Sequence, residues 1–313
     1  MEKESKIYVA GHNGMVGSSI VRRLRKLGYN NIVLRTSNEV DLKIQNDVEK
    51  LFNKERPDYV FLAAARVGGV YINSIKPAEF FYDNLLISTN VIHYSKEYDV
   101  KKLCFLGSGC IYPKNPSQPI KEESLLTSEL EKTNEGYSIA KISGLKMCEF
   151  YNKQYGTNYI SVMPANAYGY GDNYSLESSH VIPGLIRKFH EAKEKNSKSI
   201  TMWGSGEVFR EFIFIDDITD ACIFLMNHYS GDECVNVGVG NDLSINKLAE
   251  KIKSITKFNG EILHDFTKPD GVKRRLLDSS KIYNMGWRPR YTLDEGLKLT
   301  YNDYLINKHN YRN

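Results

Sequence analysis

The chain has 313 residues, of which 41% are apolar and 26% charged, and these proportions exclude a disordered chain or a fibrous repeat. Its 42 Lys and Arg residues barely exceed its 38 Asp and Glu residues, so charge gives no reason to expect nucleic acid or a membrane surface as a partner. Five scattered cysteines without metal-knuckle spacing, a charged N-terminal segment and the lack of a long apolar run predict a cytoplasmic protein with no metal site.

Short apolar runs alternate with amphipathic runs through the first half of the chain. The apolar runs are predicted strands, at residues 6–10, 31–35, 58–65, 102–108 and 159–163. The amphipathic runs are predicted helices, at residues 16–27, 47–55, 80–98 and 137–154. Continuously apolar strands suit a parallel sheet that is covered on both faces, so this alternation predicts a doubly wound α/β fold.

The pattern changes after Pro164. Residues 166–179 are rich in Tyr, Gly, Asn and Ser, which is typical of a binding loop. Beyond them the sequence predicts helices at 181–195 and 217–229 and strands at 199–203 and 211–215. We therefore expect a smaller, discontinuous C-terminal α/β domain.

A glycine-rich turn, Gly11-His12-Asn13-Gly14-Met15-Val16-Gly17, lies between the first strand and the first helix. Glycines at these spacings permit a tight turn, close approach of a pyrophosphate and close helix packing, with the helix N-terminus facing the anion. This position predicts a dinucleotide site rather than a structural turn. The second strand ends in Arg35-Thr36-Ser37, where an NAD site usually has an acidic residue. We therefore predict NADP(H) as the cofactor, with Arg35 bound to its 2′-phosphate. The alternative is that Arg35 is only an exposed residue at the end of the strand.

Tyr137 and Lys141 lie one helical turn apart on the same face of a predicted helix. Two other Tyr/Lys pairs share this spacing, but one runs into a buried strand and the other lies in the C-terminal tail. Only Tyr137 follows the loop after the fourth strand, which carries Ser108 at the ligand-binding edge of the sheet. Reduction of a ketone leaves an alkoxide, which Tyr137 could protonate if the ammonium lowers its pKa. Ser108 could polarise the same carbonyl.

These residues resemble the extended short-chain dehydrogenase/reductases and, more closely, the GDP-L-fucose synthase family, over nearly the whole chain. The stretches that carry the resemblance include AGHNGMVGS, LAAARVGGV, PAEFFYDN, FLGSGCIYPK, NEGYSIAKISGLKMCE, SHVIPGLIRKFHEA, WGSG and KPDG. The resemblance implies a Rossmann fold and NADPH-dependent reduction of the C4 ketone of a GDP-4-keto-6-deoxy sugar, after inversion of C3 and C5. It also implies a homodimer formed through the helices at 80–98 and 137–154.

Motif and resemblance together give a set of binding residues. For the cofactor they are Gly11, Asn13, Gly14, Met15, Val16, Gly17, Arg35, Asp41, Leu42, Ala63, Ala64, Ala65, Leu106, Tyr137, Lys141, Pro164, Asn166, Ala167 and His180. For the sugar nucleotide they are Lys188, Trp203, Arg210 and Asp270, with Arg274 and Arg275 as further candidates. Lys188 and Arg210 could bind the diphosphate, Trp203 could pack on the base or sugar, and Asp270 could accept from hydroxyls. A solvated helix face is the alternative for Lys188.

In the resembled family a cysteine and a histidine move the protons at C3 and C5, and they match Cys110 and His180. A C4 ketone acidifies both neighbouring carbons, and thiol and imidazole groups exchange protons readily near neutrality. The alternatives are a structural thiol and a histidine at a helix start. Cys110 lies in a polar Gly-Ser-Gly-Cys loop, and the resemblance implies the role of His180, so we predict catalytic roles for both.

Several positions depart from the family pattern, namely Gly109, Ala165, Lys188 and the loop at 168–173. These departures leave the identity of the sugar open. The alternative function is a dedicated C4-reductase of a GDP-keto-hexose or GDP-keto-heptose, in surface polysaccharide sugar biosynthesis, with Cys110 and His180 only shaping the pocket. A dehydratase is disfavoured because Ser108-Gly109-Cys110 replaces its expected acidic pair. A non-enzymatic NADP sensor is disfavoured because the proton-transfer residues are all present.

The predicted domains are 1–165, which binds NADP, and 166–313, which mainly binds the sugar nucleotide. Later segments such as 211–238 are expected to return to the first domain.

Overall fold

The computed structural model describes residues 1–175, 178–268 and 270–309, except for the side chain of Val70. Its helices are α1 (Met15–Lys26), α2 (Gln45–Glu55), α3 (Val70–Ile75), α4 (Pro77–Glu97), α5 (Glu135–Tyr155), α6 (Val181–Glu194), α7 (Ile215–His228), α8 (Ile245–Thr256), α9 (Ser280–Asn284) and α10 (Leu293–Asn307). Its strands are β1 (Ile7–Ala10), β2 (Ile32–Val33), β3 (Tyr59–Leu62), β4 (Lys102–Leu106), β5 (Tyr159–Pro164), β6 (Asn166–Tyr168), β7 (Ser199–Trp203), β8 (Phe209–Arg210), β9 (Phe212–Phe214), β10 (Val235–Val237), β11 (Leu243–Ser244), β12 (Glu261–Asp265) and β13 (Arg274–Arg275). Within the described residues no helix is long and apolar enough to cross a membrane.

The centre of the described fold is a parallel sheet in the order β10-β5-β4-β3-β1-β2. All side chains of β1, β3 and β4 are buried, as continuously apolar strands require when both faces are covered. One group of covering helices is α1 with α7, and the other is α2 with α4 and α5. The predicted doubly wound α/β fold is confirmed.

The strand order has one reversal that matters for binding. β1 is followed by β2 on one side, and β3 then pairs with the opposite side of β1. In open parallel sheets a ligand lies outside the carboxyl ends of the strands at such a reversal. The glycine-rich turn that follows β1 lies at this point.

Two predicted segments differ from the structure. The second strand is only Ile32–Val33 and pairs with β1 alone, because it is the edge of the sheet and the chain turns away at Leu34. The predicted loop at 166–179 begins with β6, which pairs with β9 in a small separate sheet. Residues 176 and 177 of that loop lie outside the described residues.

The C-terminal half contributes smaller sheets. β7 pairs with β12, while β8 lies between β11 and β13. β10 instead joins the central sheet beside β5. The division of the chain into domains stays a prediction.

Candidate active site

The predicted site residues lie on loops at one edge of the central sheet. Gly11 follows β1, Ala63 follows β3, and Ser108 comes two residues after β4. Pro164 is the last residue of β5. Because all these strands are parallel, their carboxyl ends meet at the same edge. The fold therefore brings together segments that lie far apart in the sequence.

Two glycines in the turn after β1 are required by their surroundings. Gly11 has a φ of +83°, and a Cβ there would lie 2.6 Å from Ala64 N. A Cβ on Gly17 would lie 2.1 Å from Gly11 O. Neither position accepts a side chain, so the turn stays narrow and α1 packs closely on it.

The turn has unused polar groups that suit an anion. Within the described residues no side chain caps the N-terminus of α1, and its first turn has no acidic residue. His12, inside the turn, has a buried Nδ1 without a hydrogen-bond partner in the described part of the chain. Free N–H groups, the helix dipole and an unpaired ring nitrogen fit the pyrophosphate of a dinucleotide. His12 is absent from the predicted set, although its place between the first two glycines was a signal for it.

Arg35 lies just beyond β2, and its guanidinium is already engaged. Nη1 donates to Leu34 O at 2.7 Å, and Nη2 forms a 2.5 Å ion pair with Glu55. These contacts hold the planar group in place just beyond β2. A guanidinium has five N–H donors, so some remain for a phosphate.

Ser108 is the centre of the chemical part of the site. Its Oγ lies 2.8 Å from Cys110 Sγ and accepts from Cys110 N at 3.3 Å. The Ser108 side chain also lies close enough to the Tyr137 hydroxyl to oppose the rise in the pKa of that phenol. Ser108 starts a single 3₁₀ turn, Gly109–Ile111, which explains how residues two apart can face the same point. One hydroxyl thus links the predicted proton donor to the predicted thiol.

The pKa of Tyr137 is raised, which corrects the expectation from the Tyr/Lys spacing. Burial is the main cause, the nearby Cys110 adds to it, and the hydrogen bond to Ser108 opposes it. The Lys141 ammonium donates to Leu106 O at 2.7 Å and lies 5.9 Å from the centroid of the Tyr137 ring. Its charge is directed at a carbonyl rather than at the phenol oxygen. Burial lowers the pKa of Lys141 to about 8.

His180 lies at the N-cap of α6 and is exposed. The pKa of its imidazole is nevertheless lowered, because nearby protein partly desolvates the residue and disfavours its charged form. No hydrogen bond joins the ring to Ser108 or Cys110 in the described part of the chain. His180 begins α6 and Cys110 lies in the turn after β4, so the two residues come from different elements of the fold.

Lys188 and Trp203 lie together on the C-terminal half. Lys188 Nζ lies 5.6 Å from the centroid of the Trp203 ring and donates to Thr201 O at 3.3 Å. Burial lowers the pKa of Lys188, while Trp203 is 55% exposed. An exposed indole beside a lysine can stack on a base or sugar. Lys188 is therefore not a fully solvated residue on a helix face.

Arg210 and Asp270 form a second polar group. Burial lowers the pKa of Arg210 to about 10, Arg275 adds to this, and Asp270 opposes it. Asp270 accepts from Ser205 N at 2.9 Å and from Ser205 Oγ at 2.7 Å. The carboxylate therefore holds the turn at Gly204.

The remaining predicted cofactor residues occupy three places. Met15 and Val16 lie in the first turn of α1, and Asn13 and Gly14 are exposed before it. Asp41 and Leu42 follow β2, and Leu42 O accepts from Asn90 Nδ2 at 2.9 Å. Ala63, Ala64 and Ala65 follow β3, Leu106 ends β4, and Pro164, Asn166 and Ala167 follow at the end of β5 and in β6. The Asn166 amide donates to Glu211 O at 2.8 Å.

Comparison with known proteins gives consistent relatives. Residues 7–238 match the NAD dependent epimerase/dehydratase family. The chain is 52% identical to GDP-L-fucose synthase 1 of Arabidopsis thaliana over 306 residues, which cover 98% of this chain and 95% of the relative. A GDP-6-OMe-4-keto-L-xylo-heptose reductase from C. jejuni superimposes with a TM-score of 0.93 at 39% identity, covering 98% of this chain and 99% of the other. A GDP-mannoheptose C4 reductase from Campylobacter jejuni with NADP bound has a TM-score of 0.89 at 42% identity, covering 97% and 99%.

Proposed function

The chain belongs to the NAD dependent epimerase/dehydratase family and, within it, to the GDP-L-fucose synthase family, and from this we propose that it reduces the C4 ketone of a GDP-4-keto-6-deoxy sugar after inverting C3 and C5. It is an NADP-dependent oxidoreductase. The observation that carries the proposal is the place of the Ser108 hydroxyl, which lies 2.8 Å from the Cys110 thiol and close enough to the Tyr137 phenol to influence its pKa.

The turn after β1 supports NADPH as the cofactor. Gly11 and Gly17 leave no room for a Cβ, and the uncapped N-terminus of α1 suits the pyrophosphate. Arg35, which Glu55 holds in place, would bind the 2′-phosphate. When bound, NADPH supplies the hydride for reduction.

Tyr137 would donate the proton in the reduction. Its raised pKa keeps the phenol protonated at neutral pH, as a donor must be. An alkoxide is a stronger base than a phenolate, so the transfer to O4 stays favourable. Ser108 would donate to the same oxygen and draw electron density from C4. The Lys141 ammonium, anchored on Leu106 O, would bind the ribose hydroxyls of the cofactor and add positive charge near the phenol.

Cys110 and His180 would move the protons at C3 and C5. Inversion needs a base on one face of the ring and an acid on the other, and these residues would reach the sugar from the N-terminus of α6 and from the turn after β4. The lowered pKa of His180 keeps its imidazole neutral and able to accept a proton at neutral pH. Ser108 and Tyr137 would stabilise the enolate oxygen formed between the two steps.

A second candidate keeps the reduction and omits the inversion. The similarity to two reductases named for GDP-heptoses favours it, at 39% and 42% identity. In that enzyme Cys110 and His180 would shape the pocket only. The substrate would then be a GDP-4-keto-hexose or a GDP-4-keto-heptose.

One experiment tests the function and separates the candidates. NADPH oxidation is measured with a panel of GDP-linked 4-ketosugars, and each product is made in heavy water and analysed by mass spectrometry. Deuterium at C3 and C5, lost in Cys110→Ser, supports the epimerase-reductase. Turnover without deuterium supports the dedicated reductase. NADPH binding without turnover of any of these sugars would reject both.

We also propose a homodimer formed through α4 and α5. These helices pack against each other and expose large apolar side chains, among them Tyr82 at 61% and Phe150 at 62%. A second copy could cover them as a four-helix contact. Light scattering after chromatography should show a dimer, and Phe150→Glu should shift it towards monomer; a monomeric native chain would contradict the proposal.

The domain division and location follow from related observations. β10 lies in the central sheet and α7 packs against α1, which supports a first domain of 1–165 to which 211–238 returns. The rest of 166–313 would mainly bind the sugar nucleotide. All five cysteines are free thiols, as suits the cytoplasm.

A further inference from the structure

The peptide unit between Gly109 and Cys110 is held at both of its polar atoms. Its N–H, from Cys110, donates to Ser108 Oγ at 3.3 Å. Its carbonyl oxygen, from Gly109, accepts a 2.6 Å hydrogen bond from Arg275 Nη1. Because a peptide unit is planar, holding both atoms fixes the plane of the peptide and with it the position of Cys110 Cα. The Cys110 side chain extends from that atom, and its Sγ lies 2.8 Å from Ser108 Oγ.

Arg275 reaches this turn from a backbone that is itself anchored. β13 (Arg274–Arg275) lies parallel to β8, with Arg275 opposite Arg210. Two residues further on, Leu277 N donates to the buried carboxylate of Glu211 at 2.9 Å. A side chain on such a backbone presents its guanidinium at a defined place.

The charge of Arg275 lies close to the reacting groups. Burial lowers the pKa of its guanidinium, and interaction with Cys110 opposes that shift. Its neighbour Arg210 is a predicted ligand of the diphosphate, so Arg275 could also bind that anion. The bond to Gly109 O favours a different role, since it commits the guanidinium to the turn before any sugar arrives.

We infer that Arg275 is a positioning residue: its guanidinium holds the Gly109–Cys110 peptide so that Ser108 and Cys110 face the sugar together. The inference rests on the proposed function, which assigns Ser108 and Cys110 their chemistry. It adds that a strand of the C-terminal half sets the geometry of the turn after β4.

The test uses the full chain as Arg275→Met, Arg275→Lys and the control Lys273→Met. Met keeps the unbranched stem and removes every donor, while Lys keeps the charge as a single-point donor. Lys273 is an exposed neighbour on the same segment, and only its backbone carbonyl has a described contact, with Phe209 N. With GDP-4-keto-6-deoxymannose in heavy water and no NADPH, deuterium uptake at C3 and C5 gives a rate constant and a half-saturating concentration. NADPH oxidation is then measured with the same proteins.

The expected result is a loss in the rate constant rather than in binding. Arg275→Met should slow exchange roughly 10- to 100-fold, as expected for loss of a hydrogen bond to a charged donor. Its half-saturating concentration should change less than about threefold. Arg275→Lys should fall between Arg275→Met and the native chain, and Lys273→Met should match the native chain. Native-like exchange in Arg275→Met, or a change confined to the half-saturating concentration, would overturn the inference and make Arg275 at most a diphosphate ligand.

Failure of the proposed function gives a different pattern. If the native chain reduces the sugar without exchange, the epimerase assignment fails. The positioning role of Arg275 is then tested by the fall in kcat for NADPH oxidation in Arg275→Met, because Ser108 lies on the same turn. A crystal structure of Arg275→Met decides independently of activity. The contact between Cys110 Sγ and Ser108 Oγ should be lost. An unmoved turn would overturn the inference.

Discussion

Replacement of Lys141 by methionine should stabilise the fold while it abolishes reduction. Lys141 is 3% exposed, and burial lowers its pKa from 10.5 to about 8. The folded chain therefore holds an ammonium where a neutral side chain would be more stable. Functional sites often contain such groups, whose removal raises stability at the expense of activity.

The size of the effect follows from the pKa difference. Lowering the pKa from 10.5 to about 8 corresponds to a cost of about 3 kcal/mol while the lysine is charged in both states. Removing Lys141 also leaves Leu106 O without its 2.7 Å donor, which costs about 1–3 kcal/mol. We expect Lys141→Met to gain up to about 2 kcal/mol near neutral pH.

The gain should depend on pH with a definite sign. Between pH 8 and 10.5 the unfolded chain binds more protons at this site than the folded chain, so the stability of the native protein rises with pH. The advantage of Lys141→Met is therefore complete below about pH 8 and disappears as pH approaches about 10.5. Above that range the native protein should be the more stable, since it keeps the hydrogen bond to Leu106 O.

Urea unfolding at about pH 7 and about pH 10 measures both effects. Lys146→Met is the matched control on the same helix, since Lys146 is partly exposed and pairs with Glu149 at 2.6 Å. The control should show no comparable change with pH. If the difference in stability between Lys141→Met and the native chain is the same at both pH values, the buried ammonium is not its cause.

Three further predictions concern other parts of the site. Burial raises the pKa of Asp172 from 3.8 to about 7, and its Oδ2 has no partner among the described residues. Because the folded chain then binds an extra proton at Asp172, the native protein loses stability as pH rises from about 4 to about 7. Relative to the native chain, Asp172→Asn should therefore gain up to about 4 kcal/mol over that range. Urea unfolding that shows no such trend would contradict this. Gly17→Ala should lose about 1–3 kcal/mol of stability in thermal unfolding, because its Cβ would lie 2.1 Å from Gly11 O. In Gly14→Ala the nearest atom to the new Cβ lies at 3.4 Å, so this variant should fold but bind NADPH weakly. Equal melting temperatures of the two variants would contradict this. Arg35→Ala should weaken NADPH binding about 10-fold in a fluorescence titration and leave NADH unchanged, and equal losses for both would exclude a 2′-phosphate contact.

The sequence was sufficient for the parts of the fold that rest on pattern. The strands β1, β3, β4 and β5 are continuously apolar, and α1 follows its glycine-rich turn directly, so each was predicted at nearly its observed place. β2 was predicted too long, because its apolar run continues past the point where the sheet ends. β6 was hidden in a segment rich in turn-forming residues, since its partner β9 lies more than forty residues away.

The contacts made by the predicted site residues could not be derived from the sequence. Spacing placed Tyr137 and Lys141 on one face, yet it could not show that Lys141 points at Leu106 O. Burial of the phenol, which raises the pKa of Tyr137, is a tertiary effect that the sequence does not contain. The same holds for Arg275, whose hydrogen bond to Gly109 O joins residues 166 positions apart.

The most direct test of the account is the rate of NADPH oxidation by Tyr137→Phe with a GDP-linked 4-ketosugar. The variant keeps the ring and removes only the hydroxyl that Ser108 contacts. Loss of a general acid predicts a fall in kcat of about 100- to 10,000-fold, with NADPH affinity unchanged. Turnover within a few fold of the native chain would contradict the claim that this phenol protonates O4.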